Sequence, residues 1–174
     1  MYIIVGLGNS GEEYAHTRHN TGRMASDFIC NKVRGIKVFT PNTYMNKSGP
    51  AVAKAMAGKS AKKLVVIYDD LDLPLGTMKI SYNRSSGGHK GLESVIRALK
   101  TEEFIRIRIG ISPKTYSGKL KKPSGEKAVE KHILGEFKKS EIEILEKAFK
   151  RAHGAVETII KQGLTHAMTK FNRV

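Results

Sequence analysis

The chain has 174 residues, enough for one domain with a full core, and no apolar run approaches the ~20 residues of a membrane span. Thirty-one Lys and Arg against sixteen Asp and Glu leave a net charge of +15, which attracts polyanions and points to nucleic acid as a partner. A single cysteine, Cys30, excludes an internal disulfide and fits a reducing cytoplasm, and an N-terminus that opens in a strand-like run resembles no export signal.

Residues 2–6 read as a buried strand, followed by the glycine loop Gly6-Leu7-Gly8-Asn9-Ser10-Gly11. Residues 21–33 read as a helix with Met24, Phe28 and Ile29 on its apolar stripe, which makes Cys30 a buried thiol. Residues 36–40 form a short strand stopped by Pro41, and Ser48 caps a helix over residues 49–57. Residues 64–68 carry no charge, as expected of a strand covered on both faces. Residues 72–76 then read as a turn, residues 77–82 as a strand and residues 92–99 as a helix.

Residues 104–111 alternate apolar and polar for most of their length, so they read as a half-exposed strand presenting Arg106 and Arg108. A basic loop follows over residues 112–126, with Lys114, Lys119, Lys121 and Lys122 in it and Lys127 beyond. Few aromatics and no Trp argue against base stacking, so phosphate contact is the expected use of these lysines. Ser140-Glu141-Ile142-Glu143 is a capping-box pattern opening a long helix to about Lys161, and a short helix after Gly163 runs to Phe171. Strands interleaved with helices predict one α/β domain over residues 1–174, its mixed sheet covered on both faces and its site at the C-terminal ends of the strands.

That is where the polar residues concentrate. The glycine loop with Thr17-Arg18-His19-Asn20, then Tyr44-Met45-Asn46, Tyr68-Asp69-Asp70-Leu71-Asp72 and Ser85-Ser86-Gly87-Gly88-His89-Lys90-Gly91 each close or follow an apolar run. A histidine, an aspartate that can orient it and several side-chain amides are the parts needed to aim water at an activated carbonyl. In this reading His19 is the base and Asp69 its partner, while Asn9, Asn20 and Asn46 hold a carbonyl or a water.

Two rivals use the same residues. The glycine loop satisfies the dinucleotide-binding pattern, but residues 12–20 lack an apolar stripe and no acid closes the second strand. Alternatively His16, His19, Asp69, Asp70 and Asp72 could ligate a metal in a phosphoesterase, although His16 and His19 lack the spacing of helical zinc motifs.

The chain closely resembles the bacterial-type peptidyl-tRNA hydrolases. The matching segments are Gly6-Leu7-Gly8-Asn9 with Tyr14, Thr17-Arg18-His19-Asn20, Thr43-Tyr44-Met45-Asn46 and Asp69-Asp70-Leu71-Asp72-Leu73-Pro74. Gly87-Gly88-His89 with Gly91, the run from Arg106 to Gly110, Ile133-Leu134-Gly135, and Ala167-Met168 with Phe171-Asn172 complete the set. The resemblance implies a single-domain α/β/α sandwich with a mixed, mostly parallel twisted sheet, monomeric, cytoplasmic and needing neither cofactor nor metal. It implies cleavage of the ester between peptide and tRNA, with the acceptor stem and 3′ end as partner. His19, Asp69 and Asn9 would then be catalytic, and Tyr14, Asn20, Tyr44, Asn46, His89 and Lys90 would bind substrate. Arg108 matches a position that meets tRNA phosphate, to which the basic pattern adds Lys79, Arg84, Arg106, Lys119, Lys121 and Lys122.

The chain also departs from the family. Lys90 stands where the family carries Asn, Ser10 where it carries Pro, and Ser81 where a basic residue is common, so Lys79 or Arg84 would complete the phosphate clamp. The stretch between residues 20 and 43 is shorter than in the family, which implies a lost strand or hairpin. A catalytically silent RNA-binding relative is the alternative class that these departures leave open.

Overall fold

The computed structural model describes residues 1–173. In chain order it contains β1 (Tyr2–Gly6), α1 (Thr21–Ile29), β2 (Ile36–Phe39), α2 (Ser48–Ala55), β3 (Leu64–Pro74) and β4 (Met78–Tyr82). There follow α3 (Lys90–Leu99), β5 (Ile105–Ser112), α4 (Glu126–Leu134), α5 (Lys139–Gln162) and α6 (Leu164–Phe171). The strands form one sheet in the order β2-β1-β3-β5-β4, parallel throughout except for β4, which runs antiparallel to β5.

Uninterrupted apolar runs in β1 and β3 follow from burial on both faces. Ile4, Val65, Ile67 and Ile107 pack with Ala25 of α1, Phe149 and Val156 of α5 and Ala167 of α6. Ile3, Val5, Val66 and Tyr68 point the other way, against Val52 of α2 and Leu92 and Val95 of α3. The result is the three-layer α/β/α sandwich expected.

Two glycines set how closely neighbouring elements approach. A Cβ on Gly22 would lie 2.1 Å from the Ile67 carbonyl oxygen, so α1 lies directly on β3. One on Gly49 would lie 2.0 Å from the Ser94 carbonyl oxygen, and α2 meets α3 there. At the far end of the chain the Asn172 amide grips β4, donating to the Ile80 carbonyl at 2.9 Å and accepting the Ile80 N–H at 2.7 Å.

Several boundaries differ from those read in the sequence. α1 stops at Ile29, leaving Cys30 only partly buried and outside the core. Ser48 is the first residue of α2 rather than its cap, and its hydroxyl donates to the Met45 carbonyl. β3 runs through Asp69–Asp72 to Pro74, so residues expected in a turn belong to the strand. α5 begins at Lys139, where the Lys138 N–H donates to the Glu141 carboxylate at 2.7 Å and supplies half of a capping box. α4 is absent from the sequence reading. The largest correction concerns β5, which is buried along its whole length rather than half-exposed.

Candidate active site

The ends of β1, β3 and β5 open into a cleft of about 610 Å³. Asn9, His19, Asn46, Tyr68, Asp69, Asp70, Arg84, His89, Lys90, Arg108 and Lys122 line it, with an apolar wall of Met45, Val129, Ile133 and Leu134.

His19 reaches the cleft from a single 3₁₀ turn, Arg18–Asn20, ahead of α1. That turn is held from behind. The Arg18 N–H donates to the Gly135 carbonyl at 3.0 Å, and its guanidinium meets the Glu141 carboxylate at 3.2 Å and covers the Phe137 ring. His19 Nδ1 lies 2.8 Å from Asp69 Oδ2. The other carboxylate oxygen lies 2.9 Å from His89 Nε2. His89 also caps α3, with Nδ1 accepting the Leu92 N–H at 3.2 Å. That bond leaves the His89 proton on Nε2, directed at Asp69. A carboxylate receiving from both rings likewise takes the Nδ1 proton of His19, and His19 Nε2 is left as the acceptor facing the cleft.

Charge follows from this geometry. Burial opposes the charged form of His19, but attraction and hydrogen bonding from Asp69 outweigh it and raise its pKa above 6.5. Asp69 is only 3% exposed, and burial opposes its ionisation too. His19 and His89 reverse that effect and hold its carboxyl well below the usual carboxylate range. Burial pushes the Tyr68 phenol up to about 12, so it remains a donor at neutral pH. Tyr68 stands edge-on to His89 with ring centroids 5.0 Å apart.

Asn9 is held in one orientation. Its Oδ1 accepts the Met45 N–H at 2.7 Å, which turns Nδ2 away as a donor without a partner among the described residues. Asn20 plays a different part from the one expected. It is 1% exposed and lies outside the cleft, with Oδ1 accepting the Asn9 N–H at 2.8 Å and Nδ2 donating to the Asn9 carbonyl at 2.9 Å. Both ends of the amide are consumed in fixing the glycine loop, so Asn20 supports Asn9 and does not meet substrate.

Arg106 is also corrected. Its side chain is fully buried against Phe104 and donates to the Ser85 and Glu102 carbonyls, so it cannot reach a phosphate. Arg108 lines the cleft, but its Nε donates to Asp70 at 2.7 Å and its Nη1 to Ser81 Oγ at 3.1 Å. Asp72 pairs with Lys122 across the cleft mouth. Tyr14 and the exposed Tyr44 are not part of the cleft wall, and Lys79, Lys119 and Lys121 lie on the surface beyond it. Lys90 lies on the rim, its ammonium 3.9 Å from Glu93 and largely solvated.

Asp69 also sits in a group of possible metal ligands, since ligand atoms of His19, Asp69 and His89 all lie within 4.8 Å of one another. The rival set of metal ligands drawn from the sequence is dispersed: His16 is exposed, Asp70 is paired to Arg108 and Asp72 to Lys122. Sequence reasoning missed Tyr68 and the apolar wall from α4. Val129, Ile133 and Leu134 recur at helical spacing and were the available signal.

A family model described as peptidyl-tRNA hydrolase matches residues 3–174. A relative of that name from Thermoanaerobacter sp. (strain X514) is 40% identical over 194 residues, covering 99% of this chain and 100% of the relative. Another from Thermodesulfovibrio yellowstonii is 37% identical over 197 residues and covers both chains completely, at 100%. Both alignments are longer than this chain, so these relatives carry residues with no counterpart here. The crystal structure of peptidyl-tRNA hydrolase from Acinetobacter baumannii superposes with a TM-score of 0.86 at 26% identity, covering 99% of this chain and 94% of that one.

Proposed function

The chain belongs to the peptidyl-tRNA hydrolase family and hydrolyses the ester of peptidyl-tRNA, and from that premise we propose how its side chains divide the work. His19 is the general base. Its Nε2 takes a proton from a water whose oxygen attacks the ester carbonyl, and the ribose oxygen leaves as the carbonyl re-forms, receiving that proton back from the His19 imidazolium. Asp69 holds the imidazole in the tautomer that leaves Nε2 free and stabilises the cation formed when it accepts the proton. Asn9 Nδ2 offers a fixed donor to the oxyanion, and Asn46 at the rim binds the peptide beside it. His89 is a positioning residue, since its bond to the second oxygen of Asp69 fixes the carboxylate. The apolar wall from α4 takes peptide side chains.

Phosphate contacts fall to Arg84 and Arg108 at the cleft and to Lys79, Lys119, Lys121 and Lys122 around it. The protein acts as a cytoplasmic monomer; no described helix is long and apolar enough to cross a membrane.

The observation that carries this reading is the 2.8 Å contact of His19 Nδ1 with Asp69 on the floor of an open cleft. Metal-free hydrolysis is favoured because both Asp69 oxygens and His89 Nδ1 are engaged in hydrogen bonds that a cation would have to break. The clustering of His19, Asp69 and His89 supports a second reading, in which they hold a divalent ion. Purified protein incubated with N-blocked aminoacyl-tRNA, with and without chelator, separates the two. Release that survives the chelator supports the histidine-activated water, release that stops supports the metal, and binding without release leaves a silent RNA-binding protein.

A further inference from the structure

Residues 113–122 form a β-hairpin that stands out from the body of the molecule. Its rungs are short: the Lys121 N–H donates to the Pro113 carbonyl at 2.8 Å and the Thr115 N–H to the Lys119 carbonyl at 2.7 Å. The Gly118 N–H closes the turn on the Thr115 carbonyl at 2.9 Å, with Gly118 at φ +82, a conformation that glycine adopts without strain. Every residue from Pro113 to Lys122 is exposed, so the hairpin contributes nothing to the core. It carries Lys114, Lys119, Lys121 and Lys122 with no acid among them, and Tyr116 at its tip is fully solvated. The base of the hairpin is fixed at the catalytic cleft, where Lys122 lines the wall and pairs with Asp72.

An ordered turn that holds a bare aromatic ring among cations, and buries none of it, suits a ligand with flat faces and phosphates. We propose that Tyr116 stacks on an unpaired base of the tRNA 3′ end while the neighbouring lysines meet its backbone, which makes the hairpin a reader of single-stranded RNA at the cleft entrance. This rests on the function proposed above, since it takes the RNA strand that delivers the ester to His19 as the occupant. Tyr116 lies four residue steps beyond Ser112, a reach of up to ~13 Å from the end of β5, so the ring meets a nucleotide upstream of the one esterified. A tyrosine ring has a π-face for any base, and the contact is therefore indifferent to sequence. The paucity of aromatics in the composition argued against stacking, but a single residue at an exposed tip suffices for one base.

The test compares the affinities of wild type, Tyr116→Ala and Tyr116→Phe for uncharged tRNA, intact or trimmed of its unpaired 3′ nucleotides. Tyr116→Ala should bind intact tRNA about tenfold more weakly and bind trimmed tRNA as wild type does. Tyr116→Phe, which keeps the ring, should match wild type on both. Equal weakening on the two RNAs, no weakening on either, or a Phe variant as weak as the Ala variant would each overturn the proposal. Because uncharged tRNA is not a substrate, failure of the His19 mechanism would appear only in the peptide-release assay.

Discussion

Arg108 Nε and Asp70 Oδ2 lie 2.7 Å apart in a pair almost closed to solvent, one residue along β3 from the carboxylate that holds His19. Adjacent residues of a strand project to opposite sides, so one short segment serves two charge systems without merging them. Asp69 is committed to imidazoles and Asp70 to a guanidinium.

Breaking the second pair from one side should therefore be costly. Asp70→Ala strands a buried guanidinium and should lose about 3–5 kcal/mol of stability, whereas Asp70→Ala with Arg108→Met should recover much of the loss. Urea unfolding of the single and double variants measures the coupling. Additive losses would show that the two side chains do not depend on one another.

His19→Ala should reduce single-turnover peptide release by ~10²–10⁴-fold while the affinity for tRNA stays within a factor of about two. Filter binding beside the hydrolysis assay reads both quantities. Turnover at the wild-type rate would remove His19 from the mechanism.

The pH profile has a defined sign. The neutral form of His19 is the base and its pKa lies above 6.5, so kcat/KM should rise with pH through a midpoint above that value. Asp69→Asn removes the charge that raises it, and the midpoint should move down while the maximal rate falls by at least ~10². Stability runs the other way for the same histidine. With its folded pKa above the unfolded one, the stability His19 adds is complete below 6.5 and is lost as pH rises through the folded value. The stability from Asp69, whose pKa is lowered, is present above 3.8 and is lost as pH falls through the folded value. Urea midpoints across this range, for wild type and Asp69→Asn, test both signs.

Binding of tRNA should weaken steeply with salt, and Lys119→Ala with Lys121→Ala should flatten the log–log slope by about 1–2. Arg106→Lys should leave that slope unaltered, because the side chain is shut off from solvent. A slope change in the Arg106 variant would contradict its burial.

Gly22→Ala would push a methyl into the Ile67 carbonyl, so it should cost about 1–3 kcal/mol and lower Tm by several degrees. Because α1 follows directly on the turn bearing His19, activity should fall with it. Thermal melts and initial rates on the same preparation would reveal whether the two losses travel together.

The contact of His19 with Asp69 was legible in the sequence because the segments that bear them each follow an apolar run, and such runs end at the rim of a covered sheet. The limits were physical too. β3 was cut short at Tyr68 because Asp69, Asp70 and Asp72 look like a turn, and only partners distant in sequence make them tolerable in a strand. Arg106 alternates with isoleucines as a surface residue would, yet backbone carbonyls and Phe104 receive it inside. Asn20 looked like one more amide for substrate, and nothing local reveals that Asn9 claims both of its ends. α4 was overlooked because its lysines and glutamates hide three apolar positions that matter only once the cleft exists.

The grip of Asn172 on Ile80 bears on one border of the sheet. β4 borders the sheet, and its outward peptide groups are a template onto which a foreign strand could zip. A side-chain amide mimics one peptide of such a strand and occupies the middle of the row, under cover of α6. The turn after α6 thus occupies part of that border, and clipping it would bare the outward N–H and carbonyl of Ile80 at a distance from the cleft.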